Sequence, residues 1–370
     1  MIRIAQPLIG PEERAAVLAV LASGRLAGGA VTRELEESFA REVSHTREAV
    51  AVANGTAALH LALLAHDIGP GAEVITTPFT FQATANMVLA TSAKPVFVDV
   101  REDGNIDPSR VEAAITPRTR AILPVHLYGR LCDMPPLVDI ARRHNLALIE
   151  DAAQAHGAEA NGTRAGGFGT GCFSFYATKN MMAGEGGMIT TDDPALAERL
   201  RRLRSHGESE RYTSVEVGYN YRMTDITSAI ALAQLQRLPD LTQRRRDNAA
   251  YLSSHLQGVV LPPAIEASAH VWHQYTVTVP EGRDALVAYL RKHDIEASVY
   301  YPHTLPAQPL YRDLGYDAAA YPVAQRLASE VVSLPVHPAL SRSDLDQVVA
   351  AVNAWTQSHR PEALLRTPAP

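Results

Sequence analysis

Apolar positions along this chain recur at two different spacings. Behind Pro11 they fall at Ala15, Leu18, Ala19 and Ala22 and stop at Gly24, which predicts a first helix opened by proline and closed by glycine. Five short apolar runs follow: Ala49–Val52, Val74–Thr77, Val96–Asp99, Ala121–Val125 and Leu146–Ile149. Helix-spaced stretches separate them, at Leu59–Ala65, Ala83–Ala90, Val111–Ile115 and Leu137–Arg143. Strands that are apolar almost throughout are buried on both faces, so this alternation predicts an α/β fold around a mostly parallel, doubly wound sheet.

The pattern changes after Thr224. Residues from there to about Leu256 read as helical, with Pro239 expected to break the segment into two helices. Beyond it, Val271–Val279 and Ile295–Tyr300 read as strands, and Arg283–His293, Ala324–Glu330 and Ser343–Trp355 as helices. The expected division is a large α/β domain over 1–246, with an N-terminal helical segment, and a smaller α+β domain over 247–370. The polar, proline-bearing tail after Ser358 is expected to fray.

At 370 residues the chain is long enough for both cores. Its net charge of −6 and the lack of any basic block argue against nucleic acid as a partner. Cys132 and Cys172 stand far apart, which suggests neither a disulfide framework nor a zinc site. The opening residues lack a signal-peptide profile, and no apolar run nears the ~18 residues that span a bilayer. A cytoplasmic protein with no membrane contact is the expectation.

Candidate chemistry gathers at the ends of the predicted strands, where open α/β sheets hold their ligands. Lys179 follows the β-forming run Gly171–Tyr176 and precedes the flexible Ala183-Gly184-Glu185-Gly186-Gly187, a setting for an amine delivered by a strand into a crevice with mobile walls. An ordinary lysine, with a pKa near ~10.4, is almost wholly protonated at neutral pH, so a covalent role requires desolvation. Asn54-Gly55-Thr56 ends the first strand and opens a helix: Gly55 admits a ligand to the backbone, Thr56 offers a hydroxyl, and the helix start attracts an anion. Thr56 acting as a plain N-cap fits the same residues. Asp151, at the end of an apolar strand, asks either for a cation such as a protonated pyridine nitrogen or for a structural hydrogen bond. Ser174 adds a hydroxyl, and Phe81 offers either an aromatic face or core packing. A phosphate cradle, an aromatic face, a carboxylate and a lysine together describe a pyridoxal 5'-phosphate site.

These residues sit in longer motifs: Asn54-Gly55-Thr56-Ala57-Ala58-Leu59, Pro124-Val125-His126-Leu127-Tyr128-Gly129, Glu150-Asp151-Ala152-Ala153-Gln154-Ala155-His156-Gly157, Phe173-Ser174-Phe175-Tyr176-Ala177-Thr178-Lys179-Asn180 and Gly218-Tyr219-Asn220-Tyr221-Arg222-Met223. In this order they resemble the motifs of the DegT-type sugar aminotransferases, and the resemblance covers nearly the whole chain. It implies a fold-type I pyridoxal phosphate enzyme, a homodimer with active sites at the subunit interface, that moves an amine from glutamate to a nucleotide-linked keto sugar. A 4-keto-6-deoxy sugar is the first expectation, with a 3-keto sugar, a cyclitol ketone, or a cofactor-bound regulator without turnover as alternatives.

By the same resemblance Lys179 holds the cofactor as a Schiff base and acts as base, Asp151 pairs with the ring nitrogen, and Gln154 lies beside the phenolic oxygen. Gly55, Thr56 and Ser174 hold the phosphate, Asn220 reaches it from the other subunit, and Phe81 stacks on the ring. Arg222, Tyr301 and His303 are candidates for the substrate. Relatives often place a histidine where this chain has Pro306, leaving His303 as a substitute or a bystander. Sugar-deoxygenating relatives carry histidine in place of the lysine, so Lys179 speaks against that branch. His270 and His273 are expected on opposite faces of a strand, an arrangement that does not suit a metal.

Overall fold

The structure, a computed structural model, describes residues 1–359; the tail expected to fray lies, from residue 360 on, outside them. Helix α1 spans Pro11–Ser23 with proline in its first turn, and Gly24 closes it in the left-handed region at φ 68°. Helix α2, Ala30–Phe39, precedes the sheet and did not stand out in the sequence.

Seven strands form the central sheet: β1 Glu48–Val52, β2 Glu73–Thr76, β3 Lys94–Phe97, β4 Thr119–Leu123, β5 Ala147–Asp151, β6 Thr170–Ser174 and β7 Gly187–Thr191. Their order is β1-β7-β6-β5-β4-β2-β3, and only β7 runs antiparallel to its neighbours. The helices between them are α3 Gly55–Ala65, α4 Ala83–Ala90, α5 Met134–Arg143 and α6 Pro194–Leu203. Successive side chains on a strand face opposite ways. Val50, Val52, Cys172 and Ile189 accordingly enter a core with Leu61 of α3 and Leu200 of α6, while Ala49, Ala51, Phe173 and Met188 enter another with Leu35 and Phe39 of α2. Both faces are covered, which is why the strands read as continuous apolar runs.

β1 is an edge strand, and side chains cover part of its open edge. Glu36 of α2 accepts the Ala51 N–H at 2.8 Å, while Arg204 donates to the Ala51 carbonyl at 2.6 Å and pairs with Glu36. The Ala53 N–H donates to the Tyr221 carbonyl at 2.7 Å. An edge occupied in this way is closed to strand pairing by other chains at these groups.

The segment after Thr224 departs from expectation. A single helix, α7, runs Asp225–His255 straight through Pro239. Pro239 is exposed and takes only one hydrogen bond out of the ladder, whereas Ala231, Leu235 and Leu238 on the other face pack into the core shared with α2. Burial of that face outweighs the local loss.

Two strands, β8 Tyr275–Thr278 and β9 Val331–Leu334, and helices α8 Arg283–Lys292, α9 Pro322–Glu330 and α10 Arg342–Ser358 build the C-terminal part. The strand expected over Val271–Val279 is shortened because Trp272 sits at φ 49°, outside extended space. Ile295–Tyr300 forms isolated bridges instead of a strand, Ile295 meeting Ile2 and Ser298 meeting Ser333. Ile2 thereby joins the apolar cluster of Tyr275, Leu286, Val332 and Trp355, at the opposite end of the sequence.

Candidate active site

Sheet topology brings three strand ends together. Gly187 at the start of β7 pairs with Val52 at the end of β1 and with Ser174 at the end of β6, and β5 lies beside β6 with Asp151 opposite Cys172. Parallel strands thus deliver Asn54, Asp151 and Ser174 to one edge. The chain leaves β6 at Ser174 and turns before Lys179, whose N–H donates to the Tyr176 carbonyl at 2.9 Å. Lys179 is therefore carried by a turn beyond the strand and not by the strand itself.

Lys179 and Asp151 perturb each other. Desolvation lowers the Lys179 amine to about 8, against a smaller upward pull from the Asp151 carboxylate. Burial raises the Asp151 carboxyl, opposed by hydrogen bonds from Thr84 and the Ala153 N–H and then by the charge of Lys179. Thr84 Oγ1 donates to Asp151 Oδ2 at 2.7 Å, and the Ala153 N–H donates to Oδ1 at 3.2 Å. No lysine or arginine forms an ion pair with Asp151 among the described residues, so the carboxyl remains short of the cation that would hold it ionised.

The residues expected to cradle a phosphate also meet. Asn54, not Thr56, is the N-cap of α3: its Oδ1 accepts the Ala57 N–H at 2.8 Å. That leaves the Thr56 hydroxyl exposed and the N–H groups of Gly55 and Thr56 in the unpaired first turn of the helix. A Cβ on Gly55 would stand 2.7 Å from Ser174 Cβ, so only glycine lets the helix start and the strand end approach this closely. A cradle open to an anion, a desolvated amine and a buried carboxyl lacking its cation together fit pyridoxal phosphate.

Phe81 is 48% exposed, which removes the core-packing alternative, and its ring centroid lies 6.2 Å from that of Tyr301. Gln154 Oε1 accepts the Tyr128 N–H at 2.6 Å, and its Nε2 donates to the Tyr301 hydroxyl at 3.3 Å. The phenol of Tyr128, which holds φ 61°, donates to the Tyr300 carbonyl. Tyr301 is thus tied to the same edge as Gln154 and Phe81.

Asn220, Arg222 and His303 show no contact to this cluster. Asn220 and Arg222 are exposed and alternate with Tyr219 and Tyr221, which stack at 5.0 Å and lie beside His60 of α3. His303 is exposed and Pro306 is buried.

The sequence reading missed Thr84 and the neighbouring buried pair. His126 Nδ1 accepts the Cys132 N–H at 3.2 Å, so its proton is on Nε2 and is given to Glu150 at 3.0 Å. Glu150 also accepts the N–H groups of Gly166, Phe168 and Gly169. Side-chain alternation sends Glu150 to this loop and Asp151 to the cleft. A threonine inside an apolar helix carries no signal by itself; the i, i+4 hydroxyls of Thr80 and Thr84 are the one available hint. His270 and His273 are both buried, the first stacked on Trp272 at 3.8 Å and the second 3.3 Å from Asn180 Oδ1. They lie outside any strand, and no metal-binding group of three or more side chains occurs among the described residues.

Comparison with known proteins extends this picture. A family model described as the DegT/DnrJ/EryC1/StrS aminotransferase family matches residues 7–353. The chain is 43% identical over 341 residues to the pleiotropic regulatory protein of Geobacillus stearothermophilus, covering 90% of this chain and 91% of that one. It is 40% identical over 365 residues to the GDP-perosamine synthase of Caulobacter vibrioides, with 95% and 97% covered. The crystal structure of S. venezuelae DesV matches with a TM-score of 0.90 at 41% identity, covering 94% of each chain.

Proposed function

The chain belongs to the DegT/DnrJ/EryC1/StrS aminotransferase family and is a pyridoxal phosphate-dependent sugar aminotransferase; from this we propose that it carries an amino group from glutamate to a nucleotide-linked 4-keto-6-deoxy sugar. The observation that carries the reading is the desolvated Lys179 amine set against the Asp151 carboxyl at one edge of the sheet. The nucleotide is suggested by the relative named for a GDP-linked product, and the 4-keto position by the resemblance around Tyr219–Met223.

When bound, pyridoxal phosphate supplies an aldehyde that condenses with amines and a ring that takes up the electron pair left at carbon. In this assignment Lys179 Nζ would hold the cofactor between turnovers and, when free, would serve as the base for the proton on the donor's α-carbon. Desolvation, which lowers its amine to about 8 in the protein, favours the neutral base that this role needs. Asp151, ionised, would keep a proton on the ring nitrogen. The N–H groups of Gly55 and Thr56 and the Ser174 hydroxyl would bind the phosphate, with Phe81 offered to the ring and Gln154 to the phenolic oxygen.

Two copies of the chain share their sites in this reading: the exposed Asn220 reaches the partner's phosphate, and Arg222 supplies a cation for the substrate. Tyr301, with His303 at the rim, borders the sugar, brought there by the C-terminal part from residue 247 onward, while residues 1–246 carry the cofactor. Work in the cytoplasm suits an enzyme fed by glutamate and nucleotide sugars.

The test is the absorption spectrum of the purified holoenzyme. Glutamate should bleach the yellow lysine-linked cofactor, and a 4-keto-6-deoxy nucleotide sugar should restore it. A protein that bleaches but recovers only with a 3-keto sugar or a cyclitol ketone moves the acceptor. One that stays yellow with every amino donor supports instead the non-turnover role that the name of the Geobacillus relative suggests.

A further inference from the structure

Behind Asp151 lies a line of hydroxyl groups that the assignments above leave unused. Thr84 Oγ1, buried on α4, donates to Asp151 Oδ2 at 2.7 Å, and Thr80 Oγ1 lies 3.1 Å from Thr84 Oγ1. A threonine hydroxyl has one proton to give. Because Thr84 gives its proton to Asp151, the proton between the two threonines must come from Thr80. The chain therefore runs in one direction, Thr80 to Thr84 to carboxylate, and each bond polarises the next.

We propose that Thr84, backed by Thr80, is the positioning residue that fixes the Asp151 carboxylate, in its ionised form, for the cofactor's ring nitrogen; this rests on the pyridoxal phosphate role given to Asp151. Protonating Asp151 on Oδ2 would reverse every bond in the line and leave the Thr80 proton to find another acceptor inside the protein. The line thus favours the charged carboxylate. It also fixes geometry: with Thr84 on Oδ2 and the Ala153 N–H on Oδ1, each oxygen has one partner from the protein and the carboxylate plane cannot swing.

The placement is economical in sequence. Thr80, in the bend ahead of α4, and Thr84, in its first turn, are four residues apart, and Phe81, assigned to the ring face, lies between them. One short segment thereby sets both the face on which the ring rests and the carboxylate at its nitrogen. The charged and titratable groups facing Asp151 come from other elements: Lys179 beyond β6, His126 after β4, Cys172 on β6 and Tyr301 from the C-terminal part. None of them replaces the donor on Oδ2.

The experiment uses holoenzyme loaded with pyridoxal phosphate carrying a 15N-labelled ring nitrogen, and follows that nitrogen's chemical shift with pH in wild type, Thr84→Val, Thr84→Ser and Thr80→Val. Valine keeps the shape and removes the donor. The expected result is deprotonation of the ring nitrogen at lower pH in Thr84→Val, with kcat and cofactor affinity each reduced about tenfold, the loss of one hydrogen bond to a charged group. Thr84→Ser should return all three to near the wild-type values, and Thr80→Val should shift the nitrogen in the same direction by less. If Thr84→Val does not fold, the Thr80→Val shift decides. A wild-type titration in Thr84→Val, or failure of serine to restore it, overturns the proposal while leaving the cofactor assignment intact. An Asp151→Asn enzyme with a wild-type ring-nitrogen titration overturns the Asp151 role and this proposal with it.

Discussion

Lys179 and Asp151 each carry a shift that the other opposes: burial lowers the amine to about 8 and raises the carboxyl, while each group's charge draws the other back toward its ordinary value. Neither is fully at ease without a cofactor. In the proposed role the amine would condense with the cofactor and the carboxyl would gain a cation in its ring nitrogen.

The first consequence is a pH dependence of cofactor capture. Apoprotein should combine with pyridoxal phosphate at a rate that rises about tenfold per pH unit and levels off above about 8, because only the neutral amine attacks. Stopped-flow absorbance reads this directly. A rate still climbing at pH 10 would mean that the amine is not desolvated in solution. Lys179→Ala should lose multiple turnovers altogether.

Asp151→Asn separates linkage from catalysis. The lysine remains, so the protein should still turn yellow, but kcat should fall by roughly a hundredfold, about 3 kcal/mol of lost electrostatic stabilisation. Removing the carboxylate also removes the upward pull on the lysine, so the capture profile should move to lower pH. Unchanged turnover would dismiss the ring-nitrogen role.

How far these features could be read in advance depends on what each rests on. The convergence of Asp151, Gly55 and Ser174 is legible because strand ends, glycine and helix starts have local signatures, and the sheet register brings those ends together. Thr84 is not, because its role exists only once α4 packs against the end of β5. The early part of the Val271–Val279 strand and the strand over Ile295–Tyr300 fail for a related reason: a left-handed Trp272 and a pairing of Ile295 with Ile2 from the far end of the sequence leave no trace in local hydropathy. The sequence leaves Thr56 open as a cap, whereas Asn54, two residues earlier, supplies the oxygen that accepts the Ala57 N–H.

Gly55→Ala tests the cradle. Its new Cβ would stand 2.7 Å from Ser174 Cβ, so helix α3 and the end of β6 must separate. Overpacking of this kind costs about 1–3 kcal/mol, and its effect at the site should be a fall in cofactor affinity of about ten- to a hundredfold. Equilibrium dialysis measures it. Affinity equal to wild type would place the phosphate elsewhere.

Arg204→Ala probes the closed edge. The change leaves Glu36 buried beside the Ala51 N–H without its cation and opens the Ala51 carbonyl to other chains. Stability should fall by about 3 kcal/mol in urea denaturation, with increased aggregation on heating. Retained stability and solubility would show that water covers this edge equally well.

Pro239 offers the opposite case, a residue whose removal should help. Within α7 it removes the hydrogen bond that residue 239 would give to the Leu235 carbonyl, and its ring presses on the preceding turn. Being exposed, it gives the core nothing in return, while Leu235 and Leu238 hold the helix on α2 whether or not that bond is made. Pro239→Ala restores the N–H and should raise stability by about 1–3 kcal/mol, less than the full interior penalty in so far as the helix has already relaxed around the ring. The midpoint of urea unfolding should rise with an unchanged slope and an unchanged holoenzyme spectrum. A fall in the midpoint would mean that the proline fixes a bend the packing needs, and that the helix over Asp225–His255 is held by its shape at residue 239 as well as by its apolar face.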